Sequence, residues 1–272
     1  MKTKWVFLNG DFIEEPKAML HFTDLSFQRG YGIFDFFRLV EIEPLFLEEH
    51  LNRFYLSAQN MYLPVPLSRD KMKDAIHRLI QKNSLSNSGI RMSLTGGYSA
   101  DGFNPGRPNL ILSQHTFSAP SDEQREKGIR LLSHSYQRQL PYVKTIDYLM
   151  AIWLQPLKTQ NGADDILYHA NGFITECPRS NFFLVTGNNR IVTPAENILQ
   201  GITRSKVIEL AKETHTVEVR PVHWDEIKTA KEAFVTSTTK QLLPVAQIDE
   251  KVFSEREVST QLLQRFCSAY PC

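Results

Sequence analysis

Leu199-Gln200-Gly201-Ile202-Thr203-Arg204-Ser205-Lys206-Val207 runs from a glycine straight into a helical pattern. Glycine lets backbone approach closely, and the helix expected over 203–213 leaves its first N–H groups without acceptors of its own. The amides of Ile202 and Thr203, with the Thr203 hydroxyl, can therefore seat an anion such as a phosphate. An ordinary helix capped by Thr203 fits the same residues. Upstream, Thr175-Glu176-Cys177-Pro178-Arg179-Ser180-Asn181-Phe182-Phe183 puts a carboxylate, a guanidinium, a hydroxyl and an amide between two strand-like runs. That segment reads as a site wall with Glu176 as a buried anion, or as a polar loop with an ion pair. Downstream, Thr236-Ser237-Thr238-Thr239 follows the apolar run Ala233-Phe234-Val235. Four hydroxyls at a strand end suit an anion, and they equally suit a turn.

Around these segments strands and helices are interspersed. Trp5 to Leu8 and Phe12-Ile13 flank Asn9-Gly10, a favoured hairpin turn. Phe27, Tyr31, Phe34, Phe36, Phe37 and Phe46 make residues 27–47 dense in aromatics, and strands are expected there. Leu47, Leu51, Phe54, Ala58 and Met61 then recur at helical spacing. Ser68 is placed to cap a second helix, with Met72, Ile76, Leu79 and Ile80 inward. Strands are expected over 89–94 and 109–112. Residues 117–128 show no apolar periodicity and read as a linker. The remainder reads as strands joined by tight turns at His169-Ala170-Asn171-Gly172 and Gly187-Asn188-Asn189. Helices are expected over 145–157 (Pro156 its kink or end), 203–213 and 257–269. The pattern implies an α+β chain with an N-terminal domain over 1–116 and a C-terminal domain over 129–272.

Composition narrows the function. A length of 272 residues suits one large domain or two modest ones, at roughly 150 residues each. Lys and Arg number 31 against 30 Asp and Glu, a net charge of 31 − 30 = +1, which argues against a nucleic-acid partner. No apolar run approaches the roughly 20 residues of a membrane helix. Met1-Lys2-Thr3-Lys4 leads into a short apolar stretch and a turn, unlike a signal peptide. Cys177, Cys267 and Cys272 lack metal-ligand spacing, so no metal is expected, and their sparse use suits the cytoplasm. Gly30-Tyr31-Gly32-Ile33-Phe34-Asp35 imitates a dinucleotide fingerprint, but it ends in Asp and leads into an aromatic strand. Phosphate loops, serine nucleophile elbows and zinc-protease motifs are absent from the sequence.

Taken in order, Glu176 to Phe183, Val192-Thr193-Pro194 and Ile198 to Arg204 resemble the class IV (fold-type IV) pyridoxal-phosphate enzymes. That family includes D-amino-acid aminotransferases, branched-chain aminotransferases and aminodeoxychorismate lyases. The likeness extends over nearly the whole chain. Phe46 to Arg53 with Ser57-Ala58 is similar to the helix carrying the phosphate-binding arginine. Val143 to Tyr148 resembles the segment of the catalytic lysine, and Phe234 to Thr239 the second phosphate loop. The resemblance implies a two-domain fold with a smaller N-terminal α/β domain and a larger, mainly antiparallel C-terminal domain with helices. It implies pyridoxal 5'-phosphate as cofactor and Lys144 as the amine that attaches it and shuttles the α-proton. Glu176 is implied for the pyridinium nitrogen and Tyr148 for the ring hydroxyl. Arg53, Ile202, Thr203 and Thr238 are implied for the phosphate. A cytoplasmic homodimer with active sites near its interface is the family expectation. The expected reaction is transamination between an amino acid, D favoured, and a 2-oxo acid. The alternatives are the pyruvate-releasing lyase, a branched-chain aminotransferase and, last, a catalytically idle cofactor-fold protein.

This chain departs from the family pattern around the substrate. Tyr31 stands where a small or acidic residue is usual, and Asp147 where Asn is usual. Gly96 replaces the arginine with which D-amino-acid members hold the substrate carboxylate. A desolvated carboxylate still needs a cation. Arg29, Arg91 and Arg179 are the candidates, Arg179 favoured, with Phe34 and Thr239 as further substrate contacts. Arg38 and Arg91 stand where branched-chain members have arginines.

Overall fold

Asn9 and Gly10 take positive φ, 54° and 117°. The two-residue turn they form joins β1 (Trp5–Leu8) to β2 (Asp11–Glu14). The computed structural model describes residues 3–271. Met1, Lys2 and Cys272, which entered the reading of the N-terminus and of the cysteines, lie outside the described residues. The chain divides into two units, Met1–Phe117 with Val143–Asp147, and Ser118–Tyr142 with Tyr148–Cys272.

In the first unit α1 (Leu25–Arg29) precedes β3 (Gly32–Val40) and β4 (Glu43–Pro44). The aromatic run expected as strands therefore begins with a short helix. The Asp24 carboxylate caps it by accepting from the Ser26 amide at 2.8 Å, and left-handed Gly30 ends it; these local caps override the aromatic bias. α2 (Leu47–Asn60) and α3 (Arg69–Asn83) follow, then β5 (Ser88–Thr95) and β6 (Leu110–Thr116). Ser68 caps α3 through the Lys71 amide, as expected. The strands form an antiparallel sheet of order β2-β1-β6-β5-β3-β4. Its core face carries Ile33, Phe37, Ile90, Met92 and Leu94. Against it pack Leu51, Phe54 and Ala58 from α2 and Met72, Ile76 and Leu79 from α3. Both faces are the ones that helical spacing predicts.

In the second unit α4 (Asp122–Lys127) occupies the stretch expected as a linker. Ser121 and Gln124 close a reciprocal capping box, which holds a helix of this length without apolar periodicity. β7 (Ile129–Ser135) leads to α5 (Leu149–Trp153) and α6 (Gln155–Gln160). The single helix expected over 145–157 starts later and breaks, because Thr145 pairs with Ile33 of β3, the Ile146 amide donates to Gly32 O, and Pro156 lies in the first turn of α6. The chain continues through β8 (Asp165–Ala170), β9 (Phe173–Ile174), β10 (Glu176–Cys177), β11 (Ser180–Val185), β12 (Ile191–Thr193) and α7 (Ile202–Ala211). It ends with β13 (Val217–Val219), β14 (Val222–His223), α8 (Glu226–Thr229), β15 (Glu232–Ser237), β16 (Gln241–Ile248), β17 (Lys251–Val252) and α9 (Glu257–Ala269).

The sheet of this unit runs β13-β12-β11-β15-β16-β7-β8-β9-β14, with β10 on β11 and β17 on β16. Most pairs are antiparallel; β12 with β13, β16 with β7 and β7 with β8 are parallel. Pairing of β11 with β15 sets Asn181 opposite Thr236 and so brings two of the polar segments of the sequence side by side. No helix among the described residues is long and apolar enough to cross a membrane.

The end of β5 is held from one buried side chain. Asp24 is fully buried. Its Oδ2 accepts from the Thr95 hydroxyl and from Asn109 Nδ2, both at 2.7 Å. Asp24→Asn puts an NH₂ group where an acceptor is required. The expected loss is about 1–3 kcal/mol, read as a lower urea midpoint at an unchanged slope.

Candidate active site

In the first unit, the lysine segment runs along β3. Lys144 O accepts from the Phe34 amide at 2.9 Å, and the Ile146 amide donates to Gly32 O at 3.1 Å. This anchorage sets Lys144 Nζ 4.7 Å from the centre of the Phe34 ring. The Arg91 guanidinium lies 3.9 Å from the centre of the same ring, with its Nε donating to Ser93 Oγ. Three expected site residues, Lys144, Phe34 and Arg91, thus come together.

Next along β3 lies Asp35, fully buried. Arg53 forks onto it from α2, Nε to Oδ2 and Nη2 to Oδ1, each at 2.8 Å. His50 Nδ1 is 2.7 Å from Oδ1. Burial alone would raise the Asp35 carboxyl; the charge and hydrogen bonds of Arg53 and His50 outweigh it and hold the group well below the ordinary carboxylate range. Burial pushes the His50 imidazole down, and Arg53 and Lys144 add to that against the pull of Asp35. His50 is therefore neutral near pH 7, and its ionised partner assigns the proton to Nδ1. The arginine expected on the phosphate is thus anchored by Asp35, a partner the sequence did not point to.

Tyr31 and Gly96 prove to be coupled. A Cβ on Gly96 would stand 2.7 Å from the Tyr31 ring, and the Tyr31 hydroxyl is fixed on Met61 O at 2.5 Å. The tyrosine fills the space that a side chain at position 96 would need. Arg29 is exposed and donates to Gln28 O, with no contact to the Lys144 group.

In the second unit Glu176 is 5% exposed. Its Oε1 accepts from Arg138 Nε at 2.9 Å, and its Oε2 from the Leu199 amide at 3.0 Å. Asn181 Nδ2 reaches the same carboxylate at 3.4 Å and Leu199 O at 2.8 Å. Arg138 also donates to Pro141 O at 2.6 Å. Sequence reasoning missed Arg138; an arginine shortly before the lysine segment was the available signal. Arg179 is exposed in the turn between β10 and β11, and Tyr148 is half-buried at the N-cap of α5.

α7 starts at Ile202, so Thr203 lies inside its first turn and does not cap it. Gly201 holds the cap position and offers no side chain. The Ile202 and Thr203 amides therefore have no acceptor in the helix, although both residues are nearly buried. A Cβ on Gly201 would collide with Asn181 Oδ1, so a side chain there would displace the Asn181 amide from Glu176 and Leu199. Thr236, opposite Asn181, keeps a buried hydroxyl with no hydrogen-bond partner. Thr238 and Thr239 are half-buried in the turn between β15 and β16. Lys240 pins that turn, its Nζ on Asp165 Oδ2 at 2.7 Å and on Ser180 Oγ at 3.1 Å. An uncapped buried helix start beside an orphan hydroxyl fits a phosphate group.

Because His50 folds in the neutral form, the unfolded chain takes up a proton below its ordinary pKa of about 6.5 while the folded chain does not. Its contribution is complete above that pH and is lost as the pH falls. Urea unfolding at pH 7.5 and pH 5.5 should therefore show a smaller stability loss in His50→Gln than in the wild type, the wild-type excess being at most about 1.4 kcal/mol per pH unit.

The chain resembles known proteins over nearly its whole length. Residues 32–248 match the family of class IV aminotransferases. A protein of Methanocaldococcus jannaschii named "Putative branched-chain-amino-acid aminotransferase" is 31% identical, over 96% of this chain and 94% of its own. A D-alanine aminotransferase of Staphylococcus epidermidis is 25% identical, over 96% of each chain. The crystal structure of the Escherichia coli branched-chain amino acid aminotransferase has a TM-score of 0.91 at 25% identity, over 98% of this chain and 94% of that one.

Proposed function

The chain belongs to the class IV aminotransferases, whose cofactor is pyridoxal phosphate, and from that premise we propose its residue roles and its substrate. The reaction moves an amino group between an amino acid and a 2-oxo acid. When bound, the cofactor ring supplies a sink for the electron pair left at the α-carbon. Lys144 attaches the cofactor, then takes and returns the α-proton. Glu176 holds a proton on the ring nitrogen by charge, and Arg138 with the Leu199 amide keeps its carboxylate oriented. Tyr148 donates to the ring hydroxyl. Arg53, the Ile202 and Thr203 amides and Thr238 hold the phosphate, with the Arg53 fork aimed by Asp35.

The observation that carries the substrate reading is the Phe34 ring shared by Lys144 and Arg91. It gives a proton-shuttling amine and a carboxylate-binding cation beside one apolar wall. Arg91 is therefore the arginine we assign to the α-carboxylate, in place of Arg29 or Arg179. With Gly96 closed off by Tyr31, the arrangement favours the branched-chain type, an apolar L-amino acid, with Thr239 beside the substrate. The second reading is a D-amino acid, supported by the D-alanine aminotransferase likeness. Leu149, Ile152 and Trp153 expose one apolar face of α5. We assign this face to a second copy of the chain, which sedimentation would detect.

Borohydride treatment of the holoenzyme should fix the cofactor mass on the peptide containing Lys144; a label on another lysine overturns that role. Arg91→Ala should lower kcat/KM by roughly 10- to 150-fold, the equivalent of one charge-assisted pair. A panel of D- and L-amino acids with 2-oxoglutarate or pyruvate, read by chiral product analysis, decides the handedness. Pyruvate released from aminodeoxychorismate without any acceptor would point to the lyase instead.

A further inference from the structure

Arg204 is 3% exposed. Its donors end on neutral acceptors: Thr193 Oγ1 at 3.2 Å, Gln200 Oε1 at 3.0 Å and Pro194 O at 2.8 Å. Among the described residues it makes no ion pair. Burial lowers it to about 10, against a pull from Glu176, so it is still a cation near pH 7. The Glu176 charge is already met by Arg138. A buried charge of this kind is costly unless something compensates it.

Its position adds a second cost. Arg204 lies in the first turn of α7, where no acidic residue is present. The helix dipole is positive at that end and disfavours a cation. The same turn offers the Ile202 and Thr203 amides uncapped, and the Thr236 hydroxyl, across the strands from Asn181, is orphaned. A buried cation, the positive end of a helix, free amides and an unpartnered hydroxyl all lack the same thing, an anion. In the other unit Arg53 is faced by Asp35, so its charge is already opposed.

We propose that Arg204 is the counter-charge that keeps the cofactor phosphate a dianion at the start of α7. It acts as a positioning residue, through the field of the first turn, without touching the phosphate. This inference rests on the reading of α7 as the phosphate seat.

The test uses the full chain, freed of cofactor and then reloaded. Arg204→Met removes the charge at similar length, and Arg204→Lys keeps the charge and loses the fork. Two quantities are read: affinity for pyridoxal phosphate against pyridoxal, and the phosphorus NMR titration of the bound phosphate. Arg204→Met should weaken pyridoxal phosphate about tenfold or more and leave pyridoxal unchanged. Its phosphate titration midpoint should rise by about one pH unit or more, the same factor expressed as a pKa. Arg204→Lys should stay near the wild type in both. If Arg204→Met weakens both ligands equally, or leaves the midpoint where it was, Arg204 only braces Thr193, Pro194 and Gln200 and the proposal fails. Should Arg204→Met not fold, the wild type decides: a bound phosphate that takes up a proton near pH 6, as a free phosphate ester does at about that value, overturns the idea. A wild type that binds pyridoxal as tightly as pyridoxal phosphate sinks the phosphate seat itself. Unaltered phosphate preference in Arg204→Met sinks only the role of Arg204.

Discussion

Asp35 is a carboxylate without solvent on β3, and it can stay there only because Arg53 and His50 come to it from α2. That requirement fixes how the helix lies along the strand, because the fork of a guanidinium fits a carboxylate in few orientations. It also aims β3. Phe34, the preceding residue, presents its ring to Lys144 and Arg91, and the Phe34 amide is one of two hydrogen bonds that bind the lysine segment to the strand. A well-packed apolar cluster could have stabilised the same junction at least as well. The charged cluster does something apolar packing cannot: it fixes the direction of the Arg53 guanidinium.

Much of this arrangement was legible because it is local. The faces of α2 and α3, the Asn9-Gly10 turn and α9 follow from spacing, turn chemistry and caps. Errors arose where a local cap or a distant partner overruled the average. Asp24 and Gly30 make a helix out of Leu25–Arg29, and a capping box does the same for Asp122–Lys127. Thr145 and Ile146 have helical neighbours in sequence, yet Thr145 pairs with Ile33 and the flanking hydrogen bonds of Lys144 O and the Ile146 amide go to β3, more than a hundred residues back. Of the site, Glu176 stands out in the sequence as a buried anion, whereas its ring-nitrogen role and the choice of Lys144 come only from the family resemblance. Arg138 and the Asp35 partnership of Arg53 were not reached, since no spacing links residues that meet through strands far apart in the chain.

The departures from the family pattern are connected by packing. An arginine is missing at Gly96 because the Tyr31 ring lies over that position, and its hydroxyl is tied to Met61 O. The two positions are 65 residues apart by their numbers, and neither makes sense alone. With that route to a carboxylate closed, the guanidinium that remains beside the lysine is that of Arg91, which lies over the Phe34 ring. Stacking on an aromatic face suits arginine, whose weakly hydrated plane tolerates one apolar side while its edge donates. In the proposed roles, Arg91 projects from β5 and Lys144 lies along β3, and the two meet at the Phe34 ring.

A net charge of +1 suggests a protein with little electrostatic character. The balance is reached by local pairing. Asp35 is matched by Arg53, Glu176 by Arg138 and Asp165 by Lys240. Each pair neutralises itself and fixes the direction of a group beside it. Arg204 stands outside this bookkeeping, and it stands at the positive end of α7. A chain whose charges cancel globally exerts little steering force at a distance, so the phosphate seat proposed at α7 would select its anion through short-range fields. There a single uncancelled guanidinium and two amides count for far more than they would in water.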